Sequence, residues 1–157
     1  MKTGSKHILW LWLPVVAWLG VIAIESTDWL SAEHTGEALY WLVVQIFGQV
    51  DRHSLQAVHH LLRKGGHFAG YGILCLLIFR ALRGTLRGTL GLWTALSIAG
   101  TVLVASLDEW HQTFIPSRTG CVRDVVLDTI GAICLQAIAL LLIHTRRQYQ
   151  KARPQPG

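Results

Sequence analysis

Two short stretches gather most of the side chains able to do acid–base, ion-pairing or ligand chemistry. The first, KGGHFAGY at residues 64–71, offers Lys64, His67 and Tyr71 at steps of three and four. On a helix that spacing puts all three on one face, each about a turn beyond the last. Gly65, Gly66 and Gly70 between them leave room for a neighbouring helix or a head group. The second stretch, DEWHQTFIPSRTGCVRDVVLDTIG at residues 108–131, carries Asp108, Glu109 and Gln112, then Arg118 and Arg123, then Asp124 and Asp128. Asp124, Asp128 and Gly131 again share a helical face. Such groups could bind an anionic ligand: Lys64, Arg118 and Arg123 would meet its oxygens, Arg by two-point contact. The four carboxylates would orient those cations and His67. His67 with Asp108 or Glu109 could instead serve as acid and base.

The medium sharpens the question. Of 157 residues, 52% are apolar and 15% charged, with mean hydropathy +0.41; soluble domains carry about 25% charged residues. Four apolar windows, 8–24, 65–82, 89–107 and 125–143, each approach the length that crosses a hydrocarbon core of about 30 Å as a helix. The chain therefore reads as a single all-α domain, residues 1–157, forming a polytopic bundle of four transmembrane helices. The first apolar run is longer than the roughly 7–15 residues of a cleaved signal and has no clear small-x-small site, so it reads as a retained helix. Trp10 and Trp12 suit one interface, and Trp29, Trp41 and Trp110 the other, while Trp18 suits packing. The run 38–47 is too short to span; it fits an interfacial helix, a re-entrant element or a cover over the bundle. DRHSLQAVHHLLRK, residues 51–64, reads as a short amphipathic helix leading into the second span.

Charge sets the expected orientation. With four spans and a cytoplasmic N-terminus, Lys2, Lys6, Arg80, Arg83, Arg87, Arg146, Arg147, Lys151 and Arg153 fall inside, and every carboxylate falls outside. Such asymmetry follows the positive-inside rule. Both termini are then cytoplasmic and the polar stretches face outward, in a cytoplasmic (inner) membrane. The net charge of +5 reports topology and contact with anionic lipid, not nucleic acid. Cys75 and Cys134 fall within spans and Cys121 in the outer loop, so no disulfide framework is expected. No cofactor is expected either. Six histidines (His34, His53, His59, His60, His67 and His111) lie outside, but without compact ligand spacing they point to no metal.

Asp128 is the most informative residue. One turn inside the fourth span, an unpaired carboxylate costs several kcal/mol in an apolar medium. It must face the interior and take a proton or a cationic partner, for which Lys64, Arg118 and Arg123 are at hand. Structural ion pairs sealing the bundle would use the same residues, and Asp124 would also suit a first-turn acid.

The motifs K-x-x-H-F-x-x-Y (64–71), D-E-x-x-Q (108–112), P-x-R-x-G (116–120) and D-x-x-x-D-x-x-G (124–131) together resemble the VanZ-like family of small membrane proteins. The resemblance implies a bacterial envelope protein related to low-level teicoplanin resistance. It places Lys64, His67, Tyr71, Asp108, Glu109, Gln112, Arg118 and Asp124 on motif positions. Two positions depart from it: Asp128 stands where Asn is expected, and Cys121 where a small hydroxyl residue is expected. The implied partners are membrane lipids, a lipid-linked cell-wall precursor or a lipid-tailed glycopeptide. The alternatives are an enzyme acting on a lipid-linked, phosphate-containing substrate, and a purely structural subunit. Ser117–Asp128 also echoes the S-R-x5-H-x3-D pattern of phosphatidate-type phosphatases, but Asp124 stands where the nucleophilic histidine belongs, which disfavours that chemistry.

The topology is open to cysteine-accessibility scanning. Position 121 should label from outside the cell, and positions beside Arg83 and Arg146 only after permeabilisation. External labelling beside Arg146 would contradict the four-span arrangement.

Overall fold

A backbone surrounded by hydrocarbon has no water to bond, so each apolar run must satisfy its N–H and C=O groups internally, as a helix. The computed structural model describes residues 4–27, 32–116, 118 and 120–152; Lys2, Trp29, Ser117 and Arg153 lie outside them. Five helices follow in order: α1 (Ser5–Glu25), α2 (Ala32–Phe47), α3 (Arg52–Thr85), α4 (Leu90–Gln112) and α5 (Val122–Ala152). No strand occurs among the described residues. All but α2 are long and apolar enough to cross a membrane, and the protein is a multi-pass membrane protein of all-α architecture.

In one place the helices differ from expectation. The amphipathic stretch at 51–64 and the second span are one uninterrupted 34-residue helix. Asp51 caps its start, accepting from the Ser54 backbone N–H at 2.9 Å and the Ser54 hydroxyl at 2.6 Å. Gly65 and Gly66 weaken a helix by about 1 kcal/mol each but leave every N–H in place, and only a proline would have removed one. At 1.5 Å per residue α3 is about 51 Å long, so part of it must project beyond the apolar layer. The run at 38–47 likewise belongs to a longer helix, α2, which begins at Ala32.

Helix α3 is the centre of the bundle, touching each of the other four helices and pairing most extensively with α5. Glycine explains the intimacy of that pair. A Cβ added at Gly131 would lie 2.2 Å from the Phe68 carbonyl oxygen, and one at Gly72 would lie 3.0 Å from the Gly131 carbonyl oxygen. Small residues at a crossing let backbones approach this closely. Helix α1 lies along the other side of α3: Leu11 packs over Gly84, and the Trp18 indole N–H donates to the Gly70 carbonyl at 2.9 Å. Trp18 thus both packs and bonds. Trp10, Trp41 and Trp110 stay exposed, as interfacial anchors require.

Val15, Ile22, Tyr71, Leu74, Ala81 and Ala105 form the apolar core. Beside it runs a buried polar seam. Gln136 donates to the Thr94 hydroxyl at 3.3 Å and receives the Cys75 thiol at 3.8 Å, while Thr101 bonds the Ser97 carbonyl at 2.9 Å. The α1–α3, α3–α4 and α4–α5 pairs run antiparallel. One end of the bundle therefore carries Arg80, Arg83, Arg146 and Arg147, and the other the α4–α5 connection.

Gly131→Ala should cost about 1–3 kcal/mol or more, the usual penalty of overpacking, because the obstructing atom is backbone and cannot swing away. Gly65→Ala, with nothing within 4 Å of its added Cβ, should be neutral or stabilising. Thermal unfolding in detergent checks both; equal stability of the two variants would contradict the close α3–α5 crossing.

Candidate functional site

At the end opposite the arginines, side chains from α3, α4 and α5 converge in steps of depth. Outermost is Lys64, whose ammonium donates to Asp124 Oδ1 at 3.2 Å. Asp124 is the first-turn acid of α5, where the helix dipole also favours it. One turn further in, His67 Nδ1 stands 3.7 Å from Asp128 Oδ2. Asp128 is fully buried, and neither its two oxygens nor His67 Nδ1 has a hydrogen-bond partner among the described residues. A turn beyond that, the Tyr71 hydroxyl donates to Asp108 Oδ2 at 2.9 Å, and the Gln112 amide donates to the same oxygen at 3.0 Å. The His67 and Tyr71 rings stack, their centroids 6.1 Å apart.

The α4–α5 connection folds down onto this end. Glu109 Oε2 accepts the Cys121 backbone N–H at 2.7 Å. Gly120 makes that approach possible, because a Cβ there would lie 2.3 Å from the Glu109 carbonyl oxygen. Arg118 is buried, and its Nη2 donates to the carbonyls of Glu25 and, at 2.9 Å, Thr27. That guanidinium clamps the connection to the carbonyls at the end of α1. His111 Nδ1 and the Ser26 hydroxyl, 3.4 Å apart, add a second link between α4 and α1. Arg123 is exposed on the first turn of α5.

Two expected pairings are corrected. Asp128 faces His67 rather than Lys64, Arg118 or Arg123: its position on α5 lies a full turn deeper than Lys64 reaches, and Asp124 meets the lysine first. Arg118 serves the end of α1, because the carbonyls there need donors and the connection passes directly over them.

A recess opens between α1, α3 and α4, bordered by Ile22, Glu25, Gly66, His67, Gly70 and Asp108. Added Cβ atoms at Gly65, Gly66 and Gly70 would meet nothing within 4 Å, so the space expected beside these glycines is there. A ring nitrogen of His67 and an oxygen of Asp108, both of which border the recess, lie within 4.8 Å of each other and of an oxygen of Glu109. Chemically this is a set of acceptors and a proton-exchanging ring at the mouth of an apolar bundle.

The sequence pattern of the VanZ/LLP1 family matches residues 9–143. The chain belongs to the VanZ/LLP1 family. Neither a curated protein nor a solved structure matches it. The matched residues run from α1 into α5 and include Lys64, His67, Tyr71, Asp108, Glu109, Gln112, Arg118, Arg123, Asp124 and Asp128. In this VanZ/LLP1 chain three further residues join the site: Glu25 and Ser26 at the end of α1, and Arg63, which lies within electrostatic reach of Arg118, Glu25 and Asp124. Glu25 is an acid placed immediately after an apolar run, and with the four-span topology it marks the end of α1 at this end of the bundle.

Tyr71→Phe should lower thermal stability in detergent more than Lys64→Ala does. The first removes a buried bond to a carboxylate, worth about 1.5–3 kcal/mol; the second breaks a half-exposed pair worth about 0–1 kcal/mol. The reverse order would show that Lys64 carries more of the helix coupling than its geometry implies.

Proposed function

We propose that this VanZ/LLP1 protein is an inner-membrane protein of the bacterial envelope whose polar end binds the head group of a lipid-tailed, anionic compound. The ligand class is an anionic lipid, a lipid-linked cell-wall precursor or a lipid-tailed glycopeptide. The observation that carries this reading is the recess itself. His67 borders this glycine-made space, at the end of an apolar bundle whose flanks would hold the ligand's tail, and behind the ring its Nδ1 and the buried Asp128 carboxylate make no hydrogen bond among the described residues. Buried polar atoms without hydrogen bonds cost about 1–3 kcal/mol each, and a ligand that bonds the other ring nitrogen of His67 would draw Nδ1 toward Asp128.

The charge asymmetry of the sequence supports an outward-facing site with both termini cytoplasmic. Arg123 and Lys64 rim the site and would meet anionic oxygens from the solvent side, with Arg118 holding the lip in place. Proton transfer is the second reading, favoured by the approach of His67 to Asp128: a carboxylate behind an imidazole orients it as a general base. A lipid-linked phosphate compound would then be a substrate rather than a ligand.

Native mass spectrometry of protein extracted in mild detergent tests the proposal, paired with susceptibility of a host strain to a lipid-tailed glycopeptide. Wild-type protein should retain a lipid-class ligand; His67→Gln and Asp108→Asn should lose it and restore susceptibility at unchanged protein amount. Conversion of the retained compound into a new product would select the enzymatic reading. Unchanged ligand and unchanged susceptibility in both variants would overturn the binding site.

A further inference from the structure

The inner wall of the site is acidic. Glu25 and Asp108 border the recess, Glu109 lies beside Asp108 and His67, and Asp128 stands behind His67, while Lys64 is paired with Asp124, Arg63 lies within reach of Glu25 and Asp124, and Arg118 bonds the end of α1. A cation beside Asp108 and Glu109 would stand between this pair of carboxylates and an anionic head group.

The geometry points to a single divalent cation of the Mn²⁺ or Zn²⁺ class, held by His67, Asp108 and Glu109, with Asp128 orienting the histidine from behind. Three observations carry this. A ring nitrogen of His67 and an oxygen of each carboxylate lie within 4.8 Å of one another, and small side-chain rotations would bring all three to the roughly 2.0–2.2 Å of coordination bonds. Each carboxylate has one oxygen already bonded: Asp108 Oδ2 to Tyr71 and Gln112, Glu109 Oε2 to the Cys121 N–H. These bonds fix the carboxylates while leaving the other oxygen of each for an ion. Third, Asp128 is fully buried, makes no hydrogen bond among the described residues and stands 3.7 Å from His67 Nδ1. A carboxylate bonded to one nitrogen of a histidine while the other binds metal is the usual outer support of such a ligand. One imidazole and two carboxylates suit Mn²⁺ or Zn²⁺ better than a soft thiolate-seeking ion. Three protein ligands also leave coordination positions for an outside oxygen, which a head-group phosphate or carboxylate would fill. That last point rests on the head-group reading above; the cation site does not.

The sequence grouped His67 with Asp108 and Glu109 as acid and base but gave no sign of a metal, because the three come from two helices about forty residues apart and match no metal motif.

The test uses full-length protein in detergent, stripped with a chelator, loaded with Mn²⁺ or Zn²⁺ and freed of excess ion. Wild type should retain one ion per chain by elemental analysis and gain thermal stability on loading. Asp108→Asn and Glu109→Gln should retain almost none, and Arg52→Ala, at the exposed start of α3, the wild-type amount. Asp128→Asn should weaken the ion's affinity about 10–100-fold, as removal of a ligand's outer support does. Bound Mn²⁺ should show nitrogen coupling by pulsed electron paramagnetic resonance, lost in His67→Gln. Should either carboxamide variant fail to fold, the wild-type stability gain and nitrogen coupling still decide. No retained ion in wild type, or full retention in both carboxamide variants, would overturn the site. Lipid kept by the stripped protein with no ion rebinding would overturn the cation site and leave the head-group reading. Ion retained with no lipid under any condition would leave the cation site and overturn the head-group reading.

Discussion

Asp128 is a carboxylate with no exposed surface, carried on a helix long and apolar enough to cross a membrane. Few arrangements are more costly in hydrocarbon than a charged group without a partner, and the bundle is organised around meeting that need. Gly131, three residues on and on the same face of α5, allows α5 to touch the backbone of α3 at Phe68. Phe68 follows His67. The glycine contact and the His67–Asp128 approach are therefore one feature: the crossing that a Cβ would block is what carries the acid to the imidazole.

From that crossing the polar groups spread in three directions. Outward, Lys64 meets Asp124; sideways, Tyr71 and Gln112 hold Asp108, and the Cys121 N–H holds Glu109. Inward, the seam of Cys75, Thr94, Ser97, Thr101 and Gln136 continues between α3, α4 and α5. Most members sit on helices, whose rigidity keeps side-chain positions defined better than loops would. The α4–α5 connection is the exception, and Arg118 and Gly120 restrain it. A site assembled in this way can be fixed in shape yet leave His67 and Asp128 incompletely bonded, which is where a ligand or ion would act.

Hydropathy and charge were enough to read four crossing helices in an all-α chain, because the period and length of apolar runs are local properties. The site residues were legible for a related reason: ionisable groups stand out against an apolar background. Their partners were not. Spacing along α3 put Lys64 and His67 on one face, but which acid each meets depends on the depth at which α5 crosses, and that is set by Gly72 and Gly131 acting through the backbone. The bonds of Arg118 to the carbonyls of Glu25 and Thr27 were not legible, because these lie about ninety residues away and leave no side-chain signature. The continuity of α3 through Gly65 and Gly66 was hidden because glycine pairs mark helix ends in water, where backbone exposed by a break is readily solvated.

The contact between His67 and Asp128 bears most of this arrangement, and solid-state magnetic resonance reads it directly in a bilayer. With ¹⁵N in the histidine ring and ¹³C in the aspartate carboxyl, and His67→Gln to assign the signal, a dipolar coupling is predicted that fits the 3.7 Å nitrogen–oxygen separation. A carboxyl carbon of Asp128 showing no coupling to any histidine nitrogen would contradict it.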